Sequence, residues 1–70
     1  MRTIEYDLDI YPLDTIHTAL KNYKDIASIE INTKGNKAIV TFVHCLYQEE
    51  LTIKEFGNYL IDLIGADNGN

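Results

Sequence analysis

Polar and apolar residues alternate without a break from Thr3 to Ile10, with Ile4, Tyr6, Leu8 and Ile10 on one side and Thr3, Glu5, Asp7 and Asp9 on the other. A period of two belongs to a strand with one buried face, so the pattern predicts a strand over residues 3–10. The period then lengthens. Leu13, Ile16, Leu20 and Tyr23, with Ala19 beside them, recur at helical spacing, and Pro12 suits the first turn, where no N–H is needed. These residues predict a helix over 12–24. Alternation returns from Ile26 to Asn32 and from Ala38 to His44, with Lys34-Gly35-Asn36-Lys37 between them as a hairpin signal. With Gly35 and Asn36 as the central turn residues, Ile31 falls opposite Val40 and Ile29 opposite Phe42, so both apolar rows land on one side.

Thr52-Ile53-Lys54-Glu55 has the form of a capping box, in which the Thr hydroxyl and the Glu carboxylate satisfy N–H groups at a helix start. A second helix is predicted from there, with Ile53, Phe56, Leu60 and Ile64 as its buried stripe. Gly57 on the same side allows a close approach, and Gly65 suits a left-handed cap after the last turn. Residues 1–66 then form one small domain and 67–70 a frayed tail. The order β-α-β-β-α predicts an α+β two-layer sandwich, a truncated ferredoxin-like fold with two helices on one face of a three-stranded antiparallel sheet. In the complete fold the fourth strand pairs with the first, so residues 3–10 are expected as an open edge able to accept another chain. The other sheet face is expected to carry Glu5, Asp7, Asp9, Ser28, Glu30 and Asn32 around Ile39 and Val43.

Charge narrows the partners. Among 70 residues, six Lys+Arg stand against eleven Asp+Glu, a formal charge of −5. Nucleic-acid binders need a basic surface to displace counterions, so no nucleic acid is expected. No apolar run approaches the length of a membrane span and the first residues lack a signal-peptide pattern, so no membrane association is expected and the chain reads as cytoplasmic. Cys45 is the one cysteine, which excludes an internal disulfide and a cysteine-pair zinc site.

Catalysis needs a pocket and mutually oriented groups, and a two-layer domain of this size offers little concave volume, so no enzyme, cofactor or metal is expected. His44 and Cys45 are strand neighbours that point to opposite faces, which does not favour a thiolate–imidazole pair. His44 falls on the row of Val40 and Phe42 and reads as a packed histidine. His17, next to Ile16, reads as a surface or boundary residue. Neither histidine has a ligand spacing. Glu5, Asp7 and Asp9 read as a solvated strand face that can attract a basic peptide. Tyr6 and Tyr23 are expected in or near the core, and Tyr11, Tyr47 and Tyr59 are freer to make contacts.

The run Tyr6-Asp7-Leu8-Asp9-Ile10-Tyr11-Pro12-Leu13-Asp14-Thr15-Ile16, together with Glu55-Phe56-Gly57-Asn58-Tyr59-Leu60-Ile61-Asp62, resembles the His-Xaa-Ser system protein D family over residues 4 to 64. The chain departs from that pattern at Ile64-Gly65-Ala66, where the family has a Leu-Arg pair and a further segment. The resemblance implies a non-catalytic accessory protein that presents a precursor peptide to a radical S-adenosylmethionine maturase. On the residues, the partner-binding set is Ile4, Glu5, Tyr6, Asp7 and Asp9 of the edge, with Ile39, Thr41 and Val43 of the outer face. Two alternatives stand beside it: a homodimer through the same open edge, and, on the charge of −5, an acidic inhibitor or antitoxin-like partner of a basic protein.

Overall fold

Three strands and two helices follow one another as β1 (Arg2–Asp7), α1 (Leu13–Tyr23), β2 (Ala27–Lys34), β3 (Lys37–Cys45) and α2 (Glu49–Asn68) in a computed structural model that describes the backbone of residues 1–68 and the side chains of residues 1–66. The sheet is antiparallel with order β1-β3-β2, so β3 is central and β1 and β2 are its edges. The inner faces of the strands supply Tyr6, Ala38, Val40 and Phe42 to a core completed by Ile16 and Ala19 of α1 and Phe56 and Leu60 of α2. Both helices therefore cover one face of the sheet, as in a ferredoxin-like sandwich. Phe56 is the hub of that core, edge-on to Phe42 at 5.4 Å and to Tyr23 at 5.2 Å, with Tyr6 at 6.3 Å.

The hairpin has the predicted register, with Ile31 opposite Val40 and Ile29 opposite Phe42. Gly35 carries φ +59° and Asn36 does not have a positive φ, which meets the type II′ requirement for glycine at the first turn position. Beyond Ile29 the register slips. Ser28 lies opposite His44 and Ala27 opposite Cys45, so Val43 is an extra residue on β3, a β-bulge. The bulge reverses the side-chain parity. Cys45, not His44, packs against the core, and His44 is exposed, contrary to its expected place on the Val40/Phe42 row.

The element boundaries differ from those the pattern predicts, most by one or two residues, and by three or more at the end of β1 and at both ends of α2. Strand β1 stops at Asp7, where the Asp7 carboxylate accepts the Asp9 N–H at 2.9 Å and the Asp7 carbonyl accepts the N–H groups of Ile10 and Tyr11. This side chain-to-backbone turn takes Leu8, Asp9 and Ile10 out of the strand and leaves Ile10 62% exposed. Helix α1 begins at Leu13, with Pro12 as the flanking residue at φ −58°, ψ 143°. Helix α2 begins at Glu49, three residues before the predicted cap. Thr52 is already inside it, and its buried hydroxyl donates to the Gln48 carbonyl at 2.8 Å, so no capping box forms. Helix α2 also runs through Gly65 to Asn68. The predicted tail thus begins within a helix, and its residues 69–70 lie outside the described part of the chain.

Candidate functional site

The ladder between β1 and β3 settles which main-chain groups of β1 are free. The Leu8 N–H donates to the Asn36 carbonyl at 2.9 Å, one step beyond the Asp7–Lys37 pair and in the same register. Bonded and non-bonded pairs alternate in an antiparallel ladder, so Arg2, Ile4 and Tyr6 turn their main-chain groups to β3, and Thr3, Glu5 and Asp7 turn theirs outward. The side chains agree. Thr3 Oγ1 lies 3.2 Å from Thr41 Oγ1, the close approach of a non-bonded pair. Among the described residues no strand lies on this side of β1. The outward N–H groups of Thr3, Glu5 and Asp7 and the carbonyls of Thr3 and Glu5 form a short row of unmet hydrogen-bonding groups.

Helix α2 lies over this edge. Tyr6 is buried beneath it at 7% exposure, and its hydroxyl comes within 3.9 Å of where a Cβ on Gly57 would stand. That is ordinary contact, so Gly57 is not required for close approach. Burial, with Tyr11 beside it, pushes the Tyr6 hydroxyl up to about 12. At 100° per residue, Phe56 and Leu60 point into the core, and Thr52, Tyr59 and Leu63 lie on the side of α1, where Asn22 Nδ2 donates to Tyr59 Oη at 2.7 Å. The opposite flank, above and beyond β1, carries Ile53, Gly57, Ile61 and Ile64. Ile61 is 56% exposed and Ile53 and Ile64 are half-buried. At the N-terminal end of this flank an open groove of about 410 Å³ is lined by Arg2, Gln48, Glu50, Leu51, Ile53 and Lys54. The β2 edge has a different cover. The flank of α1 turned away from α2 carries the exposed Leu13, His17, Lys21 and Lys24, with Leu20 partly buried beside Leu13.

The sequence-predicted partner residues divide between these places. Ile4 and Glu5 lie in the open strand, with Ile4 half-buried and Glu5 exposed and outside the three ion pairs found among the described residues. Tyr6 contributes its backbone to the ladder, but its side chain belongs to the core and is not offered to a partner. Asp7 is engaged locally, with Lys37 Nζ at 3.7 Å and the Asn36 amide at 3.2 Å. Asp9 sits in the turn after β1 and not on the strand. Ile39, Thr41 and Val43 lie on the outer sheet face, Ile39 and Thr41 half-buried and Val43 exposed at the bulge. This face is continuous with the edge through Glu5, which is paired with Ile39. Tyr47 is exposed, whereas Tyr11 stacks edge-on to Tyr6 at 5.0 Å and Tyr59 is tied to Asn22.

The expected buried stripe of Ile53, Phe56, Leu60 and Ile64 holds for Phe56 and Leu60 alone, Ile53 and Ile64 being only partly buried, and sequence reasoning missed the overhanging flank that they form with Ile61. Its signal was Ile61, an apolar residue eight positions after Ile53 and off the stripe of Phe56 and Leu60. Among the described residues no group of three or more His, Cys, Asp or Glu can hold a metal ion, and no helix is long and apolar enough to cross a membrane. Comparisons with protein families, with curated proteins and with solved structures find no match to this chain.

Proposed function

We propose that this protein is a non-catalytic, cytoplasmic peptide-binding module that presents a precursor peptide to a radical S-adenosylmethionine enzyme during maturation of a ribosomally made peptide. The observation that supports peptide binding is the outward row of main-chain groups on β1 beneath an apolar helix flank. An extended peptide that adds to such an edge gains main-chain hydrogen bonds, and its alternate side chains meet either the helix flank or the outer face. The assignment to a maturation system rests on the resemblance of residues 4 to 64 to the His-Xaa-Ser system protein D family. The test is affinity purification of the tagged protein from its own host, with bound proteins and peptides identified by mass spectrometry, beside a Glu5→Pro variant. Proline is tolerated on an edge where the lost N–H faced outward, so this variant keeps the fold and removes one outward donor. Recovery of a precursor peptide and a radical enzyme by the wild type, and not by Glu5→Pro, is the expected result. Recovery of the protein alone overturns the reading.

A second reading, a homodimer through β1, has an observation of its own. An antiparallel pairing centred on Ile4 against Ile4 of a second copy sets Thr3 opposite Glu5 and Arg2 opposite Tyr6, with no like charges directly opposed. Light scattering on the pure protein distinguishes a dimer from a monomer.

A further inference from the structure

The two edges of the sheet are not equivalent, and the difference specifies an occupant. Over β2, the free flank of α1 presents His17, Lys21 and Lys24 around one exposed leucine, Leu13, with Leu20 partly buried beneath; over β1, the free flank of α2 presents Ile53, Ile61 and Ile64 with no charged side chain among them. A strand added to β2 would place its inner side chains under a mixed flank in which two lysines and a histidine outnumber the leucines. One added to β1 would place them against Ile61, which is 56% exposed, and against the uncovered parts of Ile53 and Ile64, which are partly buried. The outer face gives the second half of the specification. There the outward-bonding residues of β1 are Thr3, Glu5 and Asp7, of which Asp7 is already held by Lys37 and Asn36 and Glu5 has no ionic partner among the described residues.

We infer that the β1 edge takes an extended segment running antiparallel to β1, with apolar side chains opposite Ile4 and Tyr6 and a lysine or arginine opposite Glu5. This deepens the proposed function and rests on it. Antiparallel pairing extends the existing all-antiparallel sheet and gives the stronger ladder per residue. Because strand side chains alternate, the positions opposite Ile4 and Tyr6 point beneath α2, where they cover Ile53, Ile61 and Ile64. The position between them points to the outer face beside Glu5. A net charge of −5 adds a general attraction for a basic segment.

The test uses the full chain, isotope-labelled for NMR, titrated with three blocked synthetic peptides. One has the core Lys-Val-Lys-Val-Thr, one replaces both lysines with glutamate, and one has the first composition in a non-alternating order. The alternating basic peptide is expected to shift the amides of Thr3, Glu5 and Asp7 and the methyls of Ile53, Ile61 and Ile64, and to bind more tightly than the other two. Ile61→Asp, an exposed substitution, is expected to weaken it about tenfold through lost apolar contact. Glu5→Lys is expected to cost about threefold, the size of an exposed ion pair. If Glu5→Pro abolishes binding and Ile61→Asp leaves it unchanged, the edge reading stands and the assignment of the helix flank is overturned. If peptide shifts avoid β1 altogether, or if β1 is already buried in a dimer of two chains, the edge reading itself falls with it.

Discussion

Phe42 of the central strand and Phe56 of α2 meet edge to face, ring centres 5.4 Å apart and planes at 87°. This contact joins the second layer to the sheet at the residue that also touches Tyr6 and Tyr23. Truncating a fully buried phenylalanine costs about 3–5 kcal/mol, against a total stability of about 4–10 kcal/mol for a chain of this length. Phe56→Ala is therefore expected to lose most of its cooperative urea unfolding transition by circular dichroism. Phe56→Leu retains part of the apolar volume and is expected to unfold cooperatively at a lower midpoint.

Gly57 offers a gain. It lies in the interior of α2, and the nearest atom to an added Cβ outside its own neighbourhood is the Tyr6 hydroxyl at 3.9 Å. Alanine there removes backbone freedom from the unfolded chain without a clash, so Gly57→Ala is expected to stabilise by about 0.5–1 kcal/mol. A raised denaturation midpoint with an unchanged slope is the observation to look for.

Tyr6 sets an alkaline limit. Its hydroxyl is neutral when protonated, and burial, followed by the neighbouring Tyr11, raises its pKa to about 12. A pKa above the unfolded value of about 10 means that the unfolded chain releases the proton first. The stability attached to this group is thus complete below about pH 10 and lost as the pH rises towards 12. Tyr6→Phe is expected to remain folded to higher pH, as followed by circular dichroism across an alkaline titration. Tyr23, raised by burial, then by Glu55 and Tyr59, titrates in the same direction in both proteins.

The start of α2 separates the capping box from the observed helix. Were Glu55 a capping partner, its removal would cost about 1 kcal/mol. It is instead an exposed residue in the second turn of a helix that begins at Glu49. Glu55→Ala is expected to change stability by less than about 0.5 kcal/mol in thermal or urea melts.

Much of the fold was legible because each element declares its period. The hairpin register followed from Gly35-Asn36 and two facing apolar rows, and the sheet with helices on one face followed from the element order. What escaped depends on contacts that periodicity does not encode. The alternation through Leu8 and Ile10 is real, yet the Asp7 carboxylate ends the strand by bonding the chain two residues on. Thr52 and Glu55 have the spacing of a cap, but the Thr52 hydroxyl is satisfied by Gln48 within the helix. Of the candidate site, Ile4 and Glu5 were readable from strand alternation, whereas the isoleucines of α2 acquire a role only once the helix is seen to overhang β1.

The extra residue on β3 has a further consequence, for tolerance to changes in chain length. A deletion inside a strand normally turns every later side chain to the wrong face. At Val43 the opposite holds. The β1 ladder ends at Phe42, and β2 skips from Phe42 to His44. A chain without Val43 would therefore keep His44 opposite Ser28 and Cys45 opposite Ala27, with each still on its present face. The bulge makes Val43 the position at which β3 can be shortened by one residue without re-phasing the core, so the length of this strand and the contents of the core are independently variable.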